Sequence, residues 1–86
     1  MSTIPFISIV TVTYNNLNGL QRTAKSITAQ GFEDDEWIVI DGASDDGSAD
    51  WLASSKADWI SEPDDGLYHA MNKGIKRSHG NYILFL

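Results

Sequence analysis

The sequence predicts an α/β fold with the element order βαβαβαβ and a mainly parallel sheet. Apolar runs of strand length alternate with segments whose apolar residues recur at helical spacing, and each early run stops in a turn-rich loop. A length of 86 residues without cysteine allows one small domain and excludes disulfide or thiolate-zinc staples.

Phe6-Ile7-Ser8-Ile9-Val10-Thr11-Val12-Thr13 is rich in β-branched residues and gives way to turn formers at Tyr14-Asn15-Asn16, as a first strand should. Leu17, Leu20, Ala24 and Ile27 then mark one face of a helix, with Asn15 or Asn16 available as its cap and Gly31 as its stop. Trp37-Ile38-Val39-Ile40 is a continuous apolar run, the pattern of a strand covered on both faces, and it breaks at Asp41-Gly42. Ser48 to Ala53 reads as a short helix and Ala57 to Ser61 as a weaker third strand, ended by Glu62-Pro63-Asp64-Asp65-Gly66. Leu67, Ala70, Met71, Gly74 and Ile75 form the next helical stripe, closed by His79-Gly80. Asn81-Tyr82-Ile83-Leu84-Phe85-Leu86 is the fourth strand.

Parallel returns need crossover segments, and ligands on open parallel sheets bind beyond the carboxyl ends of the strands. The loops at those ends are Thr13 to Asn16, Asp41 to Ser48 and Ser61 to Gly66, which together carry Tyr14, Asp41, Asp45, Asp46, Asp64 and Asp65.

Twelve acidic against six basic side chains, a formal net charge of −6, exclude a general nucleic-acid binder, which needs a basic surplus. No apolar run approaches the length of a membrane span, and Met1 to Pro5 lacks the basic opening of a signal peptide, so the cytoplasm is the expected location.

Gly42-Ala43-Ser44-Asp45-Asp46 does not make a hydrolase nucleophile elbow, because Asp46 stands where the closing glycine belongs and would oppose an oxyanion. Counting from Asp41 also breaks the EF-hand pattern, and no Walker A or G-x-G-x-x-G loop is present. His69 and His79 have no partner at metal-ligand spacing and read as surface or packing residues. Asp41, at a strand end, can accept a hydrogen bond from a nucleoside or can close an Asx turn. Tyr14 offers either a stacking face for a base or a cover for the sheet edge. Asp64 and Asp65 can orient a sugar hydroxyl or remain solvated turn residues, and Lys73 can meet a phosphate or lie along its helix surface.

Ile7 to Asn15, Ser26-Ile27, Gln30 and Ile38-Val39-Ile40-Asp41-Gly42-Ala43-Ser44-Asp45-Asp46-Gly47-Ser48, taken in order, resemble the start of a family 2 glycosyltransferase of the GT-A fold. Ser61 to Ile75 resembles the subset that builds bacterial exopolysaccharide and other surface glycans. Gly80 to Leu86 is similar to the strand that precedes the family's metal-binding D-x-D motif. The resemblance covers nearly the whole chain and implies a Rossmann-like nucleotide-binding half, with residues 1–86 forming a partial domain that stops just before that motif.

It further implies that Tyr14 lies against the nucleobase, that the backbone near Val12 lines the same pocket, and that Asp41 contacts the base. Asp46 and Asp64 match acidic positions near the nucleotide-sugar. Gly42-Ala43 replaces a commoner Asp-Gly pair, Met71 stands where many members have Arg, and His69 where this subset often has Asp. The implied activity of the full-length parent is transfer of a hexose from a nucleoside diphosphate sugar to a growing glycan or lipid-linked acceptor, at the cytoplasmic side or the inner face of the membrane. Mg²⁺ or Mn²⁺ is the implied cofactor, with its ligands and the catalytic base expected beyond Leu86, so the 86-residue chain alone is expected to be inactive. The alternative reading is a stand-alone, non-catalytic nucleotide-binding or protein-interaction module whose last strand pairs with another chain.

Overall fold

The computed structural model describes residues 7–30 and 35–86. Strands β1 (Ile7–Thr13), β2 (Glu36–Asp41), β3 (Asp58–Ser61) and β4 (Tyr82–Phe85) alternate with helices α1 (Leu17–Gln30), α2 (Ser48–Ala53) and α3 (Leu67–Arg77). The expected order is therefore present, with each boundary within two residues of the sequence reading wherever it can be compared. Phe6 and Gly31, assigned to the start of the first strand and the stop of the first helix, lie outside the described residues.

The strands form one sheet in the order β3-β2-β1-β4, parallel at every pairing. Alternation along the central strands sorts the core onto its two faces. Val10, Ile38 and Ile40 pack with Ala70 of α3, joined by Val12 and Ile60. Val39 faces the other way and packs with Leu20 of α1 and Leu52 of α2, flanked by Trp37, Trp51 and Trp59. Ile38, Val39 and Ile40 are fully buried, which explains the unbroken apolar run; each contributes about 1.5–3 kcal/mol by leaving water.

Helix α3 lies close on β1 because position 74 is glycine: a Cβ there would collide with the Val10 side chain. At its end, Arg77 bonds Asp58 at the start of β3, Nη2 to Oδ1 2.5 Å. β4 is an edge strand and leaves Tyr82, Ile83, Leu84 and Phe85 exposed.

The lower end of the sheet is tied by side chains. Ser8 and Glu36 are register partners; Ser8 Oγ donates to Glu36 Oε1 at 2.6 Å and accepts the Gly80 N–H at 2.8 Å. The His79 N–H also donates to Oε1, and its ring Nδ1 lies 3.1 Å from Oε2. Burial alone would raise the Glu36 carboxyl, but the Ser8 hydroxyl and the His79 N–H, ring and charge outweigh it and hold the group below the ordinary glutamate value.

Candidate functional site

Thr13, Asp41 and Ser61 occupy successive register positions at the carboxyl ends of β1, β2 and β3, so the three strands finish flush. The ladder continues one residue further, from the Gly42 N–H to the Thr13 carbonyl and from the Glu62 N–H to the Asp41 carbonyl, both 3.0 Å. The loops predicted to carry the chemistry therefore rise from one edge.

Side chains lace the first two loops together. Asn16 caps α1 by accepting the Gly19 N–H at 3.1 Å, so of the two candidate caps it is Asn16 that serves. Asn15, at φ 47°, turns away from the helix; its N–H donates to Ser44 Oγ at 2.7 Å and its Oδ1 accepts the Asp45 N–H at 2.8 Å. Ala43 next to Ser44 also sits in the left-handed region, at φ 65°, a conformation that costs a non-glycine residue about 1–2 kcal/mol.

Asp46 receives the Leu17 N–H at 2.9 Å, as well as the Ser48 hydroxyl at 2.6 Å and the Ser48 N–H at 3.1 Å. The Ser48 hydroxyl is the main reason its carboxyl lies below the ordinary aspartate value; slight desolvation opposes this, and the N–H groups of Leu17, Ser48 and Asp46 itself assist. The carboxylate thus sits at the amino end of α1, where negative charge is favoured.

Asp41 is completely buried. Its Oδ1 accepts from Ser44 Oγ at 2.5 Å, and its Oδ2 from the Ser44 N–H at 2.9 Å and Ser61 Oγ at 2.7 Å. The residue assigned a base contact is therefore held by its own turn and by the end of β3, with both oxygens engaged.

Tyr14 stands at the mouth with 64% of its surface exposed. With Val12, Thr13, Gly42, Pro63 and Asp64 it lines a cleft of about 490 Å³. Asp64 is half-buried there, with Oδ1 accepting the Gly66 N–H at 3.1 Å. Val12 also lines a second cleft of about 410 Å³ on the β4 side, with Arg22 of α1 at its border. Lys73 does not face either cleft: its ammonium lies 3.0 Å from Glu62 Oε1 and 3.1 Å from the Pro63 carbonyl, bracing the β3–α3 loop.

Tyr14, Val12 and Asp64 are thus brought together on one cleft, Asp41 and Asp46 hold the loops after β1 and β2, and Lys73 braces the β3–α3 loop outside it. Sequence reading did not count Gly42, Ser44 or Ser61 among the site residues. Their signal lay in the spacing Asp41-x-x-Ser44, an Asx-turn pattern, and in the strand register that sets Ser61 beside Asp41. Among the described residues no three His, Cys, Asp or Glu side chains converge where they could hold a metal ion. No helix among them is long and apolar enough to cross a membrane.

Residues 8–86 match the family described as Glycosyl transferase family 2. An uncharacterized glycosyltransferase of Mycobacterium tuberculosis is 44% identical over 90 residues, covering 100% of this chain and 34% of that protein. A Bacillus subtilis glycosyltransferase whose name refers to teichuronic acid biosynthesis is 32% identical, covering 95% of this chain and 35% of its own length. Glycosyltransferase AglE of Haloferax volcanii is 28% identical, covering 99% and 31%. The chain spans about a third of the length of these three relatives.

Proposed function

The chain belongs to glycosyl transferase family 2, and we propose that it forms part of the donor-nucleotide site of an enzyme that transfers a hexose from a nucleoside diphosphate sugar to a growing glycan or lipid-linked acceptor. One observation carries this reading: in a chain of this family, an exposed Tyr14 ring borders a 490 Å³ cleft above the flush ends of three parallel strands. A base stacked on that ring gains about 1–3 kcal/mol. Val12 and Asp64 also line that cleft. Asp41 and Asp46 fix the loops after β1 and β2 through their hydrogen bonds. Lys73 keeps the β3–α3 loop in place through Glu62 and Pro63, and reaching a phosphate requires it to leave Glu62.

In the transfer, the acceptor hydroxyl forms a bond to the anomeric carbon as the bond from that carbon to the diphosphate oxygen breaks. The hydroxyl proton passes to a general base, a role that no described residue is assigned here. Mg²⁺ or Mn²⁺ belongs to this reading as the counter-charge for the departing diphosphate. Among the described residues no three His, Cys, Asp or Glu side chains converge to hold that ion. The place of action is the cytoplasmic side, including the inner face of the membrane. The name of the Bacillus subtilis relative, which refers to teichuronic acid biosynthesis, supports a surface glycan as product.

The test is release of nucleoside diphosphate by the gene product in full, incubated with a panel of nucleoside diphosphate sugars, Mg²⁺ or Mn²⁺, and lipid-linked and oligosaccharide acceptors. Acceptor-dependent release from at least one donor is expected. No release from any donor, together with no calorimetric binding of any nucleoside diphosphate, overturns the reading. The isolated 86-residue chain is expected to show weak nucleotide binding and no transfer.

A further inference from the structure

The buried Asp41 carboxylate has donors on both oxygens from within the chain, so it is poorly placed to read a ligand. A different carboxylate reaches the cleft. Gly42 has no side chain, and the space a Cβ would take lies 3.3 Å from Asp64 Oδ2 and 3.4 Å from Tyr14 Cδ1. Asp64 Oδ2 and the Tyr14 ring therefore both border the space that Gly42 leaves open. Asp64 is held in that position by the Gly66 N–H on Oδ1, and no donor among the described residues reaches Oδ2.

We propose that Asp64 Oδ2 is the group that reads the donor's base, accepting a ring N–H in the gap that Gly42 leaves beside Tyr14. The inference rests on the nucleotide-site reading above and adds the determinant of base choice. A carboxylate only accepts, so it pairs with a base whose ring nitrogen carries a proton next to a carbonyl, as in uracil, thymine and guanine. Cytosine and adenine present an unprotonated ring nitrogen at the corresponding edge, and two acceptors facing one another repel. A site built around one such hydrogen bond discriminates strongly, because the mismatched partner leaves a desolvated carboxylate unpaired. Gly42 is then required for the space it leaves: a side chain there would push Asp64 and Tyr14 apart and close the gap.

The experiment is isothermal calorimetry on the gene product in full, with UDP, dTDP, GDP, CDP and ADP, for the wild type, Asp64→Asn and Gly42→Val. At least one of UDP, dTDP and GDP is expected to bind at least ~10-fold tighter than CDP and ADP, the lower part of the range for a specific base contact. Asp64→Asn presents an amide that can donate to the unprotonated nitrogen, so the ratio of the preferred nucleotide to CDP is expected to fall at least ~10-fold. Gly42→Val is expected to weaken the preferred nucleotide by at least ~10-fold with the melting temperature retained. Loss of all nucleotides to the same degree in Asp64→Asn, or an unchanged ratio, overturns this inference while leaving the nucleotide site standing. Failure of the wild type to bind any of the five overturns the nucleotide-site reading itself.

Discussion

The main-chain N–H of Asn15 donates to the hydroxyl of Ser44 at 2.7 Å, and that hydroxyl donates in turn to the buried carboxylate of Asp41 at 2.5 Å. One serine therefore joins the loop after β1 to the end of β2. Ser44→Ala removes both bonds and leaves the Asn15 N–H and an Asp41 oxygen short of a partner. A loss of about 2–3 kcal/mol is expected, at roughly 1 kcal/mol per bond plus the unsatisfied groups. Urea unfolding checks this; an unchanged midpoint would mean that the two loops are held independently.

In the proposed site Tyr14 acts on binding rather than on stability, since most of its surface is in solvent. Tyr14→Ala is expected to weaken nucleoside diphosphate binding by about 5- to 150-fold, equivalent to 1–3 kcal/mol of stacking. Stability should change by no more than about 0.5 kcal/mol. Calorimetry and a thermal melt on the same sample separate the two effects, and a large stability loss with intact binding would assign the ring to the fold.

Gly74→Ala places a methyl group into Val10 at the contact between α3 and β1. Overpacking of this kind costs about 1–3 kcal/mol, and Val10 is buried at that contact. The melting temperature should fall by about 4–8 °C per kcal/mol in a domain of this size. A paired Val10→Ala change should recover part of the loss; no recovery would place the cost in the helix instead.

Glu36 and Asp46 both titrate below their ordinary values, Asp46 chiefly through the Ser48 hydroxyl and Glu36 through bonds that overcome its burial. A carboxylate depressed in the folded state stabilises it above the unfolded pKa, and that contribution is lost as pH falls through the folded value. Melting temperature should therefore be level near neutrality with respect to these two groups and decline below about pH 4.5. Glu36→Gln is expected to flatten part of the decline. An acid limb of identical steepness in the variant would remove Glu36 as a source.

The strands and helices were legible in sequence because each has one dominant periodicity: Ile38-Val39-Ile40 is continuous because both faces are covered, and Leu17, Leu20, Ala24 and Ile27 recur at helical spacing. The loops were legible only as locations. Asp41, Asp46 and Asp64 are alike in a string of letters, and their different fates depend on neighbours 20 or more residues away. Ser61 bonds Asp41, Leu17 bonds Asp46, and Gly42 opens space for Asp64. Lys73 has a helical position consistent with several targets, and only the placement of Glu62 and Pro63 decides which it meets. A glycine after a strand reads as a turn residue; the space left by its missing side chain emerges only when Tyr14 and Asp64 are seen beside it.

Ser8, Glu36, His79 and Gly80 fasten three strands at the edge opposite the cleft, through groups that no cleft loop supplies. These bonds lie at the end of the sheet opposite the loops after β1, β2 and β3, so a substitution in those loops leaves this second set of strand ties untouched.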